Sequence, residues 1–459
     1  MTRGRGTAVE DGGSPPQPTA ATSAPRTFPG ADRGPGPVPA ADRAVARVAR
    51  LVGAMIRVTR RGQGATLPGL LAERCAPGIT RRRAARLDRV VLVSGTNGKT
   101  TTTAMLAAAL AGDGRRVVSN GAGSNLYRGL STALLRADAA AQDAVLEVDE
   151  AVLPRAIEEL RPEAVVLLNL SRDQLDRHHE VGALAQRWRQ GMTGLATGAT
   201  VIANGGDPRT AWVAGASPRA LLVRMLGGRL GRDGAGCPCC GSLLGQAPSG
   251  LYACGRCGWS PPPASIEVER EGHDLRLHGF GGSRSARLPV TADGYALDAA
   301  MSWTAAVWLG ADPGRSLALI AALGAVQDRY ALSSWRGIPV RLLLAKNPAG
   351  WDEALGATGD RARAAVVAVN GGEPDGRDTS WLWDVDMARL AGRPLVVATG
   401  ERAEDAALRL EVAGVPCQVV RPLGTAIAVA GDPPVACGVD LFADYTSFRQ
   451  ARQLIGRQG

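Results

Sequence analysis

With 459 residues, the chain is too long for one ordinary core, so its length predicts two or three domains. The formal net charge is +10, but the arginines look scattered and are not interleaved with aromatic side chains, which argues against a nucleic-acid-binding protein. No apolar run approaches the roughly 20 residues of a membrane-spanning helix, and the first residues lack a signal-peptide core, so we expect a cytoplasmic protein.

The predicted elements begin after a segment that is rich in proline and glycine, residues 1–42, which we expect to be a disordered tail. From Val90 onward, apolar runs typical of buried strands (RVVLVSG, AVLEVDE and AVVLLNL) alternate with helical stretches (TTTAMLAAALAG, AVLPRAIEEL and residues 183–195). This alternation is typical of a parallel sheet covered on both faces. We therefore predict an α/β domain over residues 43–330. A cysteine-rich insertion at about 226–264 interrupts it, and two strand-like runs (SIEVERE and DLRLHGF) and further helices follow.

A glycine-rich turn follows the first predicted strand and leads directly into a helix. Small residues let backbone N–H groups approach an anion, the helix N-terminus adds positive potential, and Lys99 reaches the β and γ phosphates of a nucleotide. Thr100 would place its hydroxyl on Mg²⁺. Lys99 is also one of only two lysines in a chain that otherwise uses arginine, as expected where a compact ammonium is needed. The predicted ATP-binding residues of this turn are Gly95, Thr96, Asn97, Gly98, Lys99, Thr100 and Thr101.

Polar residues follow the next two predicted strands, at the sheet edge where α/β proteins bind ligands. A carboxylate at the end of a buried strand is costly unless it meets a cation, so Glu147 is predicted to bind Mg²⁺. The alternative is an exposed strand end that caps a helix, and this is the favoured interpretation for Glu150. Asn169 is predicted to lie in the nucleotide site, and Asp173 and Asp176 are further candidates.

Four cysteines of the insertion form two C-x2-C pairs, Cys237 with Cys240 and Cys254 with Cys257, when Cys239 is set aside. Each pair is followed by a glycine, and this pattern predicts tetrahedral coordination of Zn²⁺ by four thiolates. Because such a site has no open position, its predicted role is structural. Disulfide bonds are the alternative, which a reducing compartment disfavours.

A second α/β pattern begins near Pro339, with PVRLLLA, AAVVAVN, RPLVVATG and PCQVVRPL as predicted buried strands. It predicts a smaller doubly wound domain over residues 331–459. Lys346 follows the first of these strands, where its ammonium could meet a phosphate or a substrate carboxylate; a solvated lysine is the alternative. Further along, residues 375–384 place two tryptophans between carboxylates.

Together these motifs resemble the Mur ligase family, and in particular its MurT branch. The resemblance extends from about residue 45 to the C-terminus. It rests on GTNGKTTT, on NGAGSN at 120–125, on EVDEA at 147–151, on NLSRDQLDR at 169–177, on the four-cysteine insertion and on LAKNPAG at 344–350. It implies a Mur-ligase-like central P-loop ATPase domain with a zinc-ribbon insertion, followed by a MurT-type C-terminal domain.

The resemblance also implies an activity. In that branch, ATP activates the α-carboxylate of the D-glutamate of lipid II as an acyl phosphate, at the inner face of the membrane. Ammonia from a GatD-like class I glutaminase then converts it to D-isoglutamine for peptidoglycan. ATP, Mg²⁺ and Zn²⁺ are the implied cofactors, and Arg329 is an implied nucleotide contact. An aspartate of residues 375–384 would orient the histidine of the partner glutaminase; Asp378 is the best match, followed by Asp384 and Asp375.

The chain departs from the Mur ligase pattern where Tyr295 opens a helix, because both asparagines that usually contact adenine are missing there. Two other functions stay open at this point. One is an amino-acid-adding ligase of the Mur or folylpolyglutamate type, against which LAKNPAG argues because it replaces the usual motif. The other is a zinc-ribbon nucleic-acid-binding module, which ATP turnover that depends on an acyl acceptor would exclude.

Overall fold

A computed structural model of the chain describes residues 40–58, 66–121, 124–138, 140–171, 181–228, 230, 234–323, 330–358, 362–372, 375–432 and 437–456. Helix α1 (Ala40–Val58) begins two residues before the predicted end of the tail at residue 42. Asp42 of this helix is buried, and Arg82 satisfies its carboxylate by donating to both oxygens, at 2.7 and 2.9 Å. These hydrogen bonds lower the pKa of Asp42.

The first domain alternates strands and helices as the sequence predicts. Its helices after α1 are α2 (Leu67–Cys75), α3 (Ile79–Ala84), α4 (Lys99–Gly112), α5 (Tyr127–Arg136), α6 (Leu153–Leu160), α7 (Val181–Thr193), α8 (Pro208–Ala214), α9 (Asp293–Trp308) and α10 (Pro313–Ala322). Its strands are β1 (Arg89–Ser94), β2 (Val117–Ser119), β3 (Asp143–Glu147), β4 (Ala164–Leu167), β5 (Thr200–Asn204), β6 (Ala220–Met225), β7 (Gly245–Gln246), β8 (Tyr252–Ala253), β9 (Ile266–Glu271), β10 (Asp274–Gly279) and β11 (Gly282–Arg287).

A nine-stranded sheet organises this domain in the order β11-β10-β9-β6-β5-β4-β1-β3-β2. Pairing is parallel from β2 through β9 and antiparallel for β9, β10 and β11. Apolar side chains of α4, α9 and α10 pack on one face, and those of α5, α6 and α7 pack on the other. The prediction of a parallel sheet covered on both faces is confirmed. Because β1 lies between β3 and β4, the segments that follow these three strands meet at one edge.

The second domain has a six-stranded sheet in the order β12-β13-β17-β14-β15-β16. Its elements are β12 (Tyr330–Trp335), β13 (Ile338–Leu344), α11 (Pro348–Gly356), β14 (Ala364–Ala368), two 3₁₀ helices (Ser380–Asp384 and Met387–Leu390), β15 (Val396–Thr399), α12 (Ala403–Val412), β16 (Gln418–Val419), α13 (Leu423–Ala430), β17 (Val439–Ala443) and α14 (Tyr445–Gly456). Only the β12–β13 pair is antiparallel among the paired strands of this sheet that the structure describes. Tyr330, one residue before the predicted start of this domain, pairs with Leu343. The run PCQVVRPL was predicted as a buried strand, but only two of its residues form β16, at the sheet edge, and both are exposed.

The middle of this second sheet contains a buried charge. Asp440 of β17 is fully buried and accepts hydrogen bonds from Arg341, Arg363 and Arg393, each at 2.8 Å. Burial alone would raise the pKa of Asp440, but the three guanidinium groups lower it. The buried carboxylate of Asp440 therefore stays charged, because the three guanidinium groups surround it.

Among the described residues, no helix combines the length and the apolar character that crossing a bilayer requires.

Candidate active site

The predicted phosphate loop lies between the end of β1 and the start of α4, at the sheet edge that the fold predicts. Gly95 and Gly98 have φ angles of 149° and 83°, which favour glycine. A Cβ at Gly98 would lie 2.2 Å from Oδ1 of Asp298, and a Cβ at Gly95 would lie 2.8 Å from the Cβ of Leu168. The two glycines therefore allow the loop to pass close to α9 and to the end of β4.

Asn169 holds the backbone of this loop in place. Its Oδ1 accepts from the N–H of Asn97 at 2.9 Å, and its Nδ2 donates to the carbonyl of Asn97 at 3.1 Å. The carbonyl of Asn169 also accepts from the N–H of Thr96 at 2.9 Å. The sequence placed Asn169 in the nucleotide site, and in the structure its side chain is directed at the loop. Its contribution is to shape the backbone that would surround a phosphate.

Lys99 is buried and its Nζ donates to three acceptors. They are the carbonyls of Gly95 at 2.6 Å and of Thr96 at 3.1 Å, and Oε1 of Glu150 at 3.1 Å. The favoured interpretation of Glu150 as an exposed cap is wrong, because Glu150 is buried and pairs with Lys99. No periodic signal could reveal this pair, since the two residues are 51 positions apart.

Thr100 and Glu147, the two residues predicted to hold Mg²⁺, lie together. The hydroxyl of Thr100 donates to Oε2 of Glu147 at 2.8 Å, and Nδ2 of Asn125 approaches Oε1 of Glu147 at 3.4 Å. Asn120 fixes the backbone of Glu147 with two hydrogen bonds of 2.8 Å. A hydroxyl and a carboxylate at the mouth of a phosphate loop are the hard oxygen ligands that Mg²⁺ prefers, so these residues fit the ion. Asn120 and Asn125 belong to the NGAGSN motif, and their part in the site could not be predicted from the sequence.

The second domain contacts the phosphate loop through Asn347 of its LAKNPAG motif. The side-chain amides of Asn97 and Asn347 lie 3.4 to 3.5 Å apart, and Oδ1 of Asn347 also caps α11 by accepting from the N–H of Gly350 at 2.7 Å. Lys346 lies in the wall of a cavity between the two domains. Thr101 of the loop and Tyr295 and Asp298 of α9 are further parts of that wall. The structure therefore brings Lys346 to the same cavity as the phosphate loop.

The three aspartates considered for a glutaminase have different surroundings. Asp378 is exposed, and its Oδ1 accepts from the N–H of Ser380 at 2.8 Å, which lowers the pKa of Asp378. Asp375 is buried and holds the start of α14 by accepting from the N–H of Thr446 at 2.9 Å. Asp384 is partly buried and lines a cleft between the domains. Asp378 is thus the aspartate that a separate protein reaches most easily.

The four predicted zinc ligands converge. The sulfur atoms of Cys237, Cys240, Cys254 and Cys257 all lie within 4.8 Å of one another. The separations of 3.5 Å (Cys240 to Cys254) and 3.6 Å (Cys237 to Cys257) far exceed the roughly 2.05 Å of a disulfide bond. Hydrogen bonds from Ser242, first of all from its backbone, lower the pKa of Cys240 to about 6. Four thiol groups at these distances fit one tetrahedral Zn²⁺.

Hydrogen bonds connect the insertion to the site. The phenol of Tyr252, next to the zinc cysteines, donates to the carbonyl of Gly205 at 2.9 Å, and burial raises the pKa of Tyr252. Asp207 caps α8, and its Oδ2 accepts from the N–H of Leu170 at 2.7 Å, one residue after Asn169. The loop between β5 and α8 therefore contacts both the ribbon and the segment that holds the phosphate loop.

Several predicted residues lie outside the described part of the chain. They are Arg329, Asp173 and Asp176. Their predicted roles stay predictions.

Comparisons with known proteins agree with this geometry. The Mur ligase middle domain matches residues 93–225, and the MurT ligase C-terminal domain matches residues 344–448. The chain is 27% identical to the MurT subunit of lipid II isoglutaminyl synthase (glutamine-hydrolyzing) from Staphylococcus aureus, over 78% of this chain and 85% of the relative. It is 29% identical to the same subunit from Streptococcus pneumoniae, over 79% and 85%. A pseudomurein peptide ligase type C from Methanothermus fervidus has the same fold, with a TM-score of 0.65 at 19% identity, over 81% of this chain and 79% of that one.

Proposed function

This chain belongs to the MurT group of Mur-type ligases, and from that premise we propose that it is the ATP-using subunit of a lipid II isoglutaminyl synthase. The reaction would convert the D-glutamate α-carboxylate of lipid II to D-isoglutamine in peptidoglycan synthesis. The names of the S. aureus and S. pneumoniae relatives support the substrate. One observation carries the chemistry: a lysine-bearing phosphate loop, with Thr100 and Glu147 at its mouth, faces a MurT-type domain through Asn97 and Asn347.

Two steps account for the chemistry. A carboxylate oxygen of the substrate attacks the γ-phosphorus of ATP, the bond from that phosphorus to the bridging oxygen breaks, and ADP leaves. The nitrogen of ammonia then attacks the acyl carbon, phosphate leaves with its oxygen, and a proton is lost to give the amide. Mg²⁺, when bound, would neutralise charge on the phosphate oxygens.

The protein positions the reactants and neutralises charge. Lys99 would exchange the carbonyls of Gly95 and Thr96 for phosphate oxygens, while Glu150 keeps its ammonium in place. Thr100 and Glu147 would hold Mg²⁺. Lys346 lies in the interdomain cavity, where its ammonium would hold the substrate carboxylate close to the γ-phosphate.

A second protein would supply the ammonia. The relatives are named as subunits of a glutamine-hydrolysing enzyme, which supports a GatD-like class I glutaminase as the partner. Asp378 is exposed and ionised, so it could reach the active site of that partner and orient its histidine. Zn²⁺ would have a structural role in the four-cysteine ribbon.

Reconstitution tests this proposal. The chain, a class I glutaminase, lipid II, glutamine, ATP and Mg²⁺ should release ADP and amidated lipid II in equal amounts. Lys99→Ala should remove both products, because the phosphate oxygens lose their cation, while circular dichroism and zinc content stay unchanged. Replacing ammonia with free amino acids tests the amino-acid-adding alternative. Amidation that proceeds without ADP release, or an amino acid joined to the acceptor, would disprove the proposed reaction.

A further inference from the structure

The positive charge of the chain is concentrated near its N-terminus. Residues 40–88 contain eleven arginines, three acidic residues and no aromatic residue, so they account for most of the net charge of +10. The arginines looked scattered in the whole sequence, but eight of these lie in α1, α2 and α3, whose apolar side chains share one small core. The exposed arginines in these three helices include Arg43, Arg47, Arg50, Arg74, Arg81 and Arg82.

Helix α1 has an apolar stripe on its solvent side. Its inner side, with Ala46 and Ala49, packs in a small core against α2, α3 and α5. On the other side, Val48, Leu51 and Met55 are 59%, 70% and 63% exposed. Their spacing of three and four residues places them on one face. Water is a poor environment for three large apolar side chains in a row, so this face fits an apolar partner.

Helix α2 and the residue before α5 add further exposed apolar side chains. Helix α2 adds the exposed side chains of Leu67 and Leu71. Between them, the N–H of Gly69 donates to Thr132 of α5 at 2.9 Å. Helix α5 begins directly after Leu126, which is half exposed and follows Asn125, the amide that approaches Glu147. We call the exposed side chains of α1, α2 and Leu126 the apolar–basic surface.

We infer that the apolar–basic surface lies on an anionic lipid bilayer, with its leucines and Met55 in the interface and its arginines on the headgroups. Apolar side chains flanked by arginines are the pattern by which helices bind the surface of anionic membranes. The inference rests on the proposed function, because a lipid-linked acceptor has its reactive group close to a membrane. Beyond that function, the inference identifies the surface of the chain that faces the lipid.

Two other occupants fit the surface less well. A nucleic acid would use the arginines, but it would leave the apolar stripe in water, and residues 40–88 contain no aromatic residue for base stacking. A second copy of the chain related by twofold symmetry would bring the two arginine-rich surfaces together and would be opposed by their repulsion.

Vesicle sedimentation with the full, zinc-loaded chain tests this inference. Vesicles of phosphatidylcholine with about one third phosphatidylglycerol should bind the chain, and pure phosphatidylcholine should bind it at least about tenfold more weakly. Binding should fall as NaCl rises from about 50 to about 500 mM, because salt screens the arginines. Leu51→Glu with Met55→Glu should lower binding by about tenfold or more. Arg43→Gln with Arg47→Gln should weaken binding and reduce its salt dependence.

Leu408→Glu with Val412→Glu is the matched control. These side chains form an exposed apolar pair on α12, at 53% and 61% exposure, far from the arginine-rich helices in sequence, and the variant should bind like the parent. Equal binding of the α1 glutamate variant and the parent would overturn the inference, as would a parent that binds heparin or self-associates but does not bind anionic vesicles. The vesicles contain no lipid II, so this result is independent of amidation, which is measured separately in detergent.

Discussion

The Lys99–Glu150 pair allows a quantitative test of the phosphate loop. The two charged groups are 3.1 Å apart, and their side chains are 8% and 9% exposed. At an effective dielectric constant of about 20, their attraction is roughly 5 kcal/mol, and the loss of hydration offsets much of it. Lys99 keeps two carbonyl acceptors when Glu150 is changed. We therefore expect a net coupling of about 2 kcal/mol between the two side chains.

A double-mutant cycle measures this coupling. Lys99→Met, Glu150→Gln and the double variant are unfolded in urea without nucleotide, and the free energies of unfolding are compared with the parent. Each single variant should lose stability, and the double variant should lose about 2 kcal/mol less than the sum of the two. Glu158→Gln, an exposed carboxylate of α6, should change stability by less than about 0.5 kcal/mol. A coupling below about 0.5 kcal/mol would show that the pair does not form in the folded protein without nucleotide.

Three further outcomes follow from the geometry. Cys240→Ser should lower both the zinc content and the thermal stability, because one of four thiolates is lost; unchanged metal stoichiometry would contradict the ribbon. Asp378→Asn should slow glutamine hydrolysis by the complex and leave amidation from free ammonium intact, whereas equal loss of both would place the residue in another role. Burial, followed by the charge of Asp375, raises the pKa of Asp444 from 3.8 to about 6. A carboxyl group whose pKa is raised by folding stabilises the folded protein below its unfolded pKa and loses this effect as pH rises through its folded pKa. The free energy of unfolding should therefore fall by up to about 3 kcal/mol as pH rises from 4 to 6. Asp444→Asn should remove that slope in urea unfolding across this range, and a slope that persists would assign it to another group.

The sequence predicted the three strands beside the phosphate loop from their apolar runs, whereas β5 and β6 were not among the predicted strands. RVVLVSG, AVLEVDE and AVVLLNL became β1, β3 and β4, and the turn between β1 and α4 lies where the spacing placed it. Strand β17 escaped prediction because Asp440 interrupts its apolar pattern. The carboxylate is satisfied by arginines 47 to 99 positions away, and a local pattern cannot show such partners. Conversely, PCQVVRPL looks apolar but forms a short exposed edge.

The residues of the candidate site also fall into those that the sequence indicated and those that it did not. Lys99, Thr100 and Glu147 were predicted site residues because phosphate and Mg²⁺ chemistry requires those residue types after a buried strand, and the structure places all three at one edge of the sheet. Glu150 and Asn125 could not, since their importance depends on which side chain the fold brings beside them. Asn169 was predicted to lie in the nucleotide site, and in the structure its side chain bonds the backbone of Asn97 in the predicted phosphate loop.

The connection between the ribbon and the β5–α8 loop has a consequence for nucleotide affinity. Tyr252 donates to Gly205, Asp207 accepts from Leu170, and Asn169 accepts from Asn97, so hydrogen bonds link the segments that lie between the cysteine cluster and the predicted phosphate loop. A structural Zn²⁺ in the four-cysteine cluster would thus influence the shape of the phosphate loop without contacting it. If Zn²⁺ occupies the cluster, its chelation should weaken ADP binding in calorimetry before the first domain unfolds.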